Sequence, residues 1–296
     1  MTTIQESLGS SPEVNLERKK SSSKNLFGIL MTGLTALFTL FILVPLFALV
    51  FDVARQGLSR LGLQSFTQLP PPPGLTEGGF GNAILGTLIV LAVAAAFAVP
   101  IGVLAAIYLN EFGKGSKIAY WVRFGASVLT GVPAIIAGLF AYTVVVLTMG
   151  RFSAFSGGVA LAVVMLPIVM RTTEEGLLIV PQEVRQGSLA VGATKFQTIS
   201  RIVVPAALPT IATAITLGLA RAAGEAAPLL FTALNNNFWS TDLFRPIATL
   251  PVLIYFFSII PYRVQQEIAW AAALVLLGLV LIVSIIARVV TAKRRF

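Results

Sequence analysis

Long runs of uncharged, apolar residues alternate with short charged segments along this chain. Six windows of 19 to 33 residues contain no Asp, Glu, Lys or Arg and are rich in Leu, Ile, Val, Ala and Phe. Because a helix needs about 20 apolar residues to cross the hydrocarbon core of a bilayer, each window is long enough to span a membrane. The pattern therefore predicts an all-α polytopic membrane protein with six transmembrane helices, over residues 25–51, 78–110, 124–150, 152–170, 202–220 and 268–287.

A seventh apolar stretch, residues 246–262, is interrupted by prolines. It is 17 residues long and carries Pro246, Pro251 and Pro261. Each proline lacks an amide donor, which a helix exposed to lipid tolerates poorly. We therefore expect this stretch to lie at the membrane interface or to re-enter the membrane, and we do not count it as a span.

Composition and charge agree with a membrane protein and indicate its orientation. Apolar residues make up 56% of the chain and charged residues only 11%, against about 25% charged in soluble domains. With both termini in the cytoplasm, fifteen of the 21 Lys and Arg residues fall inside, five fall outside and Arg221 falls within a span. The net charge of +9 therefore follows the positive-inside rule, and nucleic-acid binding is not expected.

The tails and loops follow from the same six spans. Residues 1–24 have no apolar period and are rich in Ser, Thr, Glu and Lys, so we expect a disordered cytoplasmic tail. The first window exceeds the roughly 7–15-residue core of a signal peptide, which predicts that this helix is retained. Residues 25–296 form one transmembrane domain, with a cytoplasmic loop over 172–203 and an outer loop over 231–263.

The residue types that are missing exclude several classes of chemistry. The chain has no Cys and no His, which excludes disulfides, thiolate or imidazole metal sites, and Cys–His or Ser–His catalytic pairs. It also lacks the phosphate-binding pattern G-x-x-x-x-G-K-[ST]. We therefore predict no catalytic residues, no metal and no cofactor, and we do not expect this chain to hydrolyse ATP.

Two charged residues fall at membrane depth after the fifth window. Arg221 and Glu225 are four residues apart, so on a helix they share a face and can pair. Charges in hydrocarbon are costly and usually face a bundle interior or a wet cavity, which favours a role in lining a substrate pathway. A structural ion pair, or two side chains that reach the outer surface, would explain the same pattern.

A second charged cluster follows the fourth window. Arg171 is followed by Thr172, Thr173, Glu174 and Glu175. On a helix the arginine can pair with either glutamate. Its guanidinium and the two threonine hydroxyls could contact an oxyanion at the inner mouth of a pathway, although a charged helix end at the interface needs no such function.

The loop between the fourth and fifth windows carries the pattern of two short amphipathic helices. Gly192 separates them, and Leu189, Phe196 and Ile199 are their apolar anchors. Short amphipathic helices on a cytoplasmic loop are suited to docking into a groove on a partner protein. A helix that lies on the lipid surface fits the composition equally well.

This loop resembles the Glu-Ala-Ala loop of ABC-importer permeases. Gly192, Ile202 and Pro205 stand at the glycine, isoleucine and proline of that motif. Residues 186–188 are Gln-Gly-Ser in place of Glu-Ala-Ala, and Val204 replaces the leucine. A more specific resemblance comes from residues 220–233 and 235–240, which are similar to one of the two permease subunits of phosphate ABC importers. Residues 170–175 and 246–251 fit the same family.

The resemblance implies a MetI-like permease of six helices that works with several partners. These would be a second permease subunit, two cytoplasmic ATPase subunits that bind the ATP, and an extracytoplasmic phosphate-binding protein in a bacterial inner membrane. It also implies that Arg221 and Glu225 lie on or near the phosphate route. The residues that it implies for coupling to the ATPase are Gln186, Ser188, Leu189, Gly192, Ala193, Lys195 and Pro205.

The function expected from the sequence is therefore that of a membrane permease subunit of an ATP-driven phosphate importer. One alternative is a permease of the same type for another oxyanion, such as sulfate or molybdate. A second is an anion transporter or channel that works without ATP. A third is a membrane scaffold that transports nothing, in which Arg221 and Glu225 are only structural.

Overall fold

The computed structural model describes residues 23–292, with side-chain exposure given from residue 26 to residue 289. The predicted cytoplasmic tail, residues 1–24, lies outside this part except for Ser23 and Lys24, which begin the first helix. Two compact units divide the chain after residue 51. The described part of the first unit is the N-terminal portion of a single long helix, and the second unit contains all other elements.

Helices and the turns between them make up the described residues, which confirms the predicted all-α fold class. Three π-helical turns, Tyr108–Phe112, Tyr142–Val146 and Ile199–Val203, interrupt the α-helices. The α-helices are α1 (Ser23–Leu58), α2 (Leu63–Thr67), α3 (Gly81–Ile107), α4 (Lys117–Gly131), α5 (Ala134–Ala141), α6 (Leu147–Met149), α7 (Ala154–Ile179), α8 (Gln182–Ala190), α9 (Lys195–Thr198), α10 (Val204–Ala223), α11 (Ala227–Leu230), α12 (Leu250–Ile259) and α13 (Arg263–Ala292).

Among the described residues, five helices are long and apolar enough to cross a membrane, and a bent pair counted as one span brings the number to the predicted six. The bent pair is Lys117–Gly131 with Ala134–Met149, and the helix axis changes direction by 110° between them. The five others are Leu26–Leu58, Gly81–Phe112, Ala154–Ile179, Lys195–Ala223 and Arg263–Val289.

The bend corrects the prediction of one continuous helix over residues 124–150. Pro133 has no amide hydrogen to donate, and its ring disfavours the helical conformation in the residue before it. Val132 accordingly adopts an extended conformation, with φ −74° and ψ 129°. The apolar window is therefore long enough for a span, but its backbone turns sharply in the middle.

The helices end where capping hydrogen bonds form, and these ends do not coincide with the charged residues that bounded the predicted windows. The fourth span continues to Ile179, so the loop predicted from residue 172 begins about two turns later. Its first residues are capped by Ser153, whose hydroxyl accepts a hydrogen bond from the Ser156 amide at 3.1 Å. Such a cap contributes about 1 kcal/mol, and the charged residues beyond Met170 simply continue the helix.

The proline-containing stretch forms the ten-residue helix α12, which is too short to cross a membrane. This agrees with the prediction that residues 246–262 are not a span. The first turn of α12 is buried, and Leu250 and Leu253 pack in one cluster with Ile268 of α13 and Ala83 of α3. Pro251 is accommodated because the first turn of a helix lacks amide partners in any case.

The core of the second unit forms where α3, α7 and α10 pack closely. Gly218 of α10 faces Met165 of α7, and a Cβ atom added at this glycine would lie 2.8 Å from the methionine Cγ. Gly102 of α3 meets Val169 of α7 in the same way, at 3.0 Å. Small residues allow membrane helices to approach this closely, and the packing fixes the faces of α7 and α10 on which the charged residues stand.

Candidate functional site

Arg221 and Glu225 form an ion pair at the C-terminal end of α10. The Nε atom of Arg221 lies 3.6 Å from Oε1 of Glu225. The helix ends at Ala223, so Glu225 already lies in the turn beyond it. That turn is tight, with the Glu225 amide bonded to the Ala222 carbonyl at 3.2 Å. The predicted pairing is therefore present, although only one of its members is on the helix.

Arg221 lines a small, mostly apolar cavity between the α4–α5 bend, α7 and α10. The cavity has a volume of about 230 Å³. Arg221 is the only charged side chain among the described residues that line it, and 55% of that side chain is exposed. An arginine offers a planar fork of donors that matches tetrahedral oxyanions. Other lining residues are Leu129, Thr130, Phe140, Val164 and Ile168.

Arg171 lies further along α7, on the same side of the helix as the cavity-lining Val164 and Ile168. It follows Val164 and Ile168 at intervals of seven and three residues, which places all three on one helix face. Its guanidinium donates to the hydroxyl of Ser127 and to the carbonyl of Arg123, both on α4. We call this surface the α4–α7 groove, defined by Ser127, Leu129 and Thr130 of α4 and by Val164, Ile168 and Arg171 of α7.

The prediction that Arg171 pairs with Glu174 or Glu175 is wrong. Glu174 bonds α4 instead, where its Oε1 lies 2.7 Å from the guanidinium of Arg123. Helical spacing allows either pairing, and the packing of α4 against α7 decides between them. The local pattern could not show this, because Arg123 lies 51 residues from Glu174 in the sequence.

The residues predicted around Arg171 do not converge on one site. Thr173 and Glu174 are buried, Thr172 is half-buried and Glu175 is exposed. Thr173 Oγ1 is buried without a hydrogen-bond partner among the described residues. Of this cluster, the structure places only Arg171 in the α4–α7 groove.

The two short helices predicted between the fourth and fifth spans are α8 and α9, and we call residues 182–198 the α8–α9 segment. Gly192 ends α8 with a left-handed conformation, φ +89°. Its amide bonds to the Leu189 carbonyl at 3.0 Å, and the Ala193 amide bonds to the Ser188 carbonyl at 3.2 Å. These two bonds form a Schellman motif, which favours glycine at this position. The predicted glycine turn is therefore confirmed.

The structure separates the residues predicted for coupling into outward-facing and internal ones. Ser188 is buried, and its hydroxyl lies 2.9 Å from the hydroxyl of Thr198, so it joins α8 to α9. Ile199 is also buried. The prediction that it is a docking anchor is therefore wrong, since its side chain packs inside the protein. Ala193 is half-buried. The exposed members of the predicted set are Gln186, Leu189, Gly192, Lys195 and Pro205.

The outer face of the α8–α9 segment carries exposed apolar side chains. Val191 is 85% exposed and Phe196 is 72% exposed, and Val184 and Leu189 are close to half-exposed. Four such side chains on one short segment form an apolar surface that is costly to leave in water. This surface fits a groove on another protein or a lipid interface, the two alternatives left open by the sequence.

The sequence reasoning missed a buried ion pair beneath the same segment. Arg185 of α8 lies 2.9 Å from Glu111, which follows α3, and their side chains are only 9% and 7% exposed. Arg185 also donates to the Leu177 carbonyl at 2.8 Å and to the Val180 carbonyl, and so caps the end of α7. A partial signal was available, because Glu111 directly follows the uncharged window 78–110, but Arg185 lies 74 residues away in the sequence and the pairing could not be predicted.

Known sequences match this chain over most of its length. The family model described as "Binding-protein-dependent transport system inner membrane component" matches residues 98–296. The phosphate transport system permease protein PstA of Yersinia pestis is 42% identical over 281 residues, which are 94% of this chain and 94% of that protein. PstA 1 of Mycobacterium tuberculosis is 38% identical over 271 residues, covering 88% of this chain and 89% of that protein.

Solved structures show the same fold at lower sequence identity. A chain of the MetNI methionine ABC transporter, described as inward facing, superposes with a TM-score of 0.62 and 21% identity over 72% of this chain and 95% of its own. A chain of a bacterial alginate ABC transporter in complex with its pentasaccharide-bound periplasmic protein gives 0.61 and 17% identity over 87% and 92%. At this identity, the likeness concerns the fold alone.

Proposed function

This chain belongs to the family of binding-protein-dependent transport system inner membrane components, and from that premise we propose how it carries its substrate. It is a multi-pass membrane permease subunit of a phosphate ABC importer, as its relatives named PstA indicate. We propose that its α4–α7 groove forms one half of the translocation pathway. The other half comes from a second permease subunit that closes the groove.

The observation that supports this proposal most is the position of Arg221. Its side chain is the one charge lining an apolar cavity in the described part of the chain, and more than half of it is exposed. Arg171 lies further along α7 than the cavity-lining Val164 and Ile168 and bonds Ser127 of α4. A phosphate ion that enters would pass from one guanidinium to the next, and in each position charge-assisted hydrogen bonds would replace part of its lost hydration.

Glu225 keeps this site from holding its anion too tightly. At 3.6 Å from Arg221 its carboxylate competes with the substrate for the same guanidinium. A pathway site has to bind well enough to admit the anion and weakly enough to release it. The pair is therefore suited to transient binding, whereas an unpaired arginine in this apolar cavity would favour retention.

We further propose that ATP is hydrolysed by separate ATPase subunits that receive the α8–α9 segment. Its exposed apolar residues, Val184, Leu189, Val191 and Phe196, match the hydrophobic anchors with which a short helix docks into a groove. This places the segment, and with it both termini, on the cytoplasmic side. An extracytoplasmic phosphate-binding protein would deliver the substrate to the opposite face.

The pathway is tested by phosphate uptake into proteoliposomes that contain the assembled importer. We expect Arg221→Gln to lower the uptake rate about tenfold or more, because a charge-assisted hydrogen bond to the anion is lost. Arg221→Lys keeps the charge but lacks the planar fork of donors, so its uptake rate should lie between those of the unchanged importer and Arg221→Gln. Arg245→Gln is the matched control, since that arginine is 75% exposed and forms a surface pair with Asp242. Normal uptake by an assembled Arg221→Gln complex would remove the cavity from the pathway.

The same assay separates the competing functions. Inhibition of phosphate uptake by equal concentrations of sulfate or molybdate would indicate a permease for another oxyanion. Uptake without ATP would indicate a transporter that needs no ATPase. For the docking of the α8–α9 segment, a cysteine in place of Val191 should cross-link to an ATPase subunit, whereas one in place of the buried Ile199 should not. An active complex with no such adduct would contradict the docking.

A further inference from the structure

A π-helical turn, Tyr108–Phe112, ends the long helix that begins with α3, and it touches both helices of the α8–α9 segment. The Gly113 amide bonds to the Tyr108 carbonyl at 2.7 Å, a five-residue spacing that defines the turn. Such turns are uncommon and often occur at functional sites. Here the widened backbone ring presents Glu111 and Phe112 to the segment while Leu109 remains in the core.

The first link from this turn runs to α8. Glu111 Oε1 accepts a hydrogen bond from Arg185 at 2.9 Å and another from the Asn110 side-chain amide at 2.8 Å. Arg185 is held on its other side by carbonyls at the end of α7. Separating such a buried pair would leave an uncompensated charge, which costs far more than the net stability that the pair itself contributes. The contact therefore resists being pulled apart.

The second link runs to α9. The Nζ atom of Lys195, the first residue of α9, lies 4.8 Å from the ring centroid of Phe112, within the range of a cation–π interaction. Lys195 follows the Thr194 cap, whose hydroxyl accepts from the Gln197 amide at 3.2 Å. The two links thus lie on either side of the Gly192 turn and contact adjacent residues of α3's extension.

The turn is also joined to α4, which forms one wall of the α4–α7 groove. The guanidinium of Arg123 donates to the Leu109 carbonyl at 3.1 Å and pairs with Glu174 of α7 at 2.7 Å. The main chain of Arg123 accepts a hydrogen bond from Arg171 in the groove. A continuous chain of polar contacts therefore leads from α8 through the turn to the arginine that faces the substrate route.

We infer that the turn over residues 108–112 carries movement of the α8–α9 segment into α3 and α4, with Glu111 as the positioning residue that makes the connection rigid. This inference rests on the proposed function, because it assumes that an ATPase moves the segment. Displacement of α8 has to carry Glu111 with it, since the buried pair cannot stretch, and Arg123 passes the shift to the groove.

The test measures phosphate imported per ATP hydrolysed by the complete importer in proteoliposomes. Glu111→Gln keeps the size of the side chain and removes its charge, and we expect the ratio to fall about tenfold while ATP hydrolysis continues, because Arg185 loses its buried counter-charge. Glu267→Gln is the matched control. It removes a glutamate from an exposed pair with Arg263, and we expect the ratio to stay within about twofold of the unchanged importer.

The outcomes are distinct. A purely structural role for Glu111 would lower assembly and ATP hydrolysis together and leave the ratio unchanged, and an unchanged ratio in the assembled complex overturns the inference. If Glu111→Gln does not assemble, Phe112→Leu decides, because that side chain is 51% exposed and the substitution removes the aromatic ring that Lys195 contacts. We expect its ratio to fall about two- to fivefold, and no change would again overturn the inference. Absence of ATP-dependent phosphate uptake in the unchanged importer would instead refute the proposed function.

Discussion

Replacing Gly192 isolates the contribution of one backbone conformation to the proposed coupling. The residue has φ +89°, and a Cβ atom added there would meet nothing within 4 Å. A side chain therefore costs strain in the backbone and causes no clash within this chain. Left-handed backbone costs an L-residue about 1–2 kcal/mol, which corresponds to a factor of about 5–30 in the equilibrium constant between the native turn and its alternatives.

The predicted order follows from that conformation. Asn tolerates left-handed backbone better than Ala, and a β-branched residue tolerates it least. We expect the initial rate of ATP-dependent phosphate uptake to decrease in the order Gly, Asn, Ala, Val at position 192. The Ala variant should lie about 5- to 30-fold below the original, with the amount of assembled complex checked by co-purification of the ATPase subunits.

The place of Asn in this series is the critical result. Asn is larger than Ala, so an effect of volume would make it the worse substitution, whereas an effect of φ makes it the better one. An Asn variant that transports less than the Ala variant would show that Gly192 is needed for close approach of a partner. Equal rates for Gly and Ala would show that the Schellman turn seen here does not limit transport.

Two further predictions concern packing and charge inside the permease. Gly86→Ala would place a Cβ atom against the Ala248 carbonyl oxygen and should lower the free energy of unfolding by about 1–3 kcal/mol, measured by thermal unfolding in detergent. Gly125→Ala in α4, where a Cβ atom meets nothing within 4 Å, should leave this free energy unlowered or raise it by up to about 1 kcal/mol, and equal unfolding of both variants would contradict the observed packing. Glu174→Gln removes the charge of a buried carboxylate that pairs with the half-exposed Arg123 and should lower the free energy of unfolding by about 1–3 kcal/mol, with phosphate uptake retained. Loss of uptake in an assembled Glu174→Gln complex would show that transport requires this carboxylate, either on the substrate route or through Arg123.

Some properties of this protein depend on a single segment of the chain, and others depend on how two distant segments pack together. The membrane spans can be predicted from composition, because a sufficiently long run of apolar side chains favours lipid over water and forms a helix there to satisfy its backbone. The turn at Gly192 follows from local chemistry in the same way. Pro133 also carried a local signal, since proline disfavours helix in the residue before it, and the break at Val132 was therefore present in the sequence although window length alone concealed it.

Pairings between distant charges could not be read in this way. Glu174 has Arg171 at helical spacing and nevertheless bonds Arg123, because the packed face of α7 points it toward α4. Glu111 and Arg185 meet only because α8 folds back beneath the end of α3. In each case the sequence supplies charges that must find partners in a weakly hydrated setting, and it leaves several partners possible.

The amino-acid sequence thus determined that this protein crosses a membrane and which segments do so. It also determined where the Lys and Arg residues concentrate and where the chain turns at Gly192. Hydropathy, proline and glycine act over a few residues, and their effects survive in any tertiary context. The tertiary structure alone decided that Arg221 lines an apolar cavity with Val164 and Ile168 of α7, that Arg171 bonds α4, and that Arg185 connects α8 to α3 and α7. These relations depend on which helix faces approach each other, and helix packing fixes that only when the whole chain has folded.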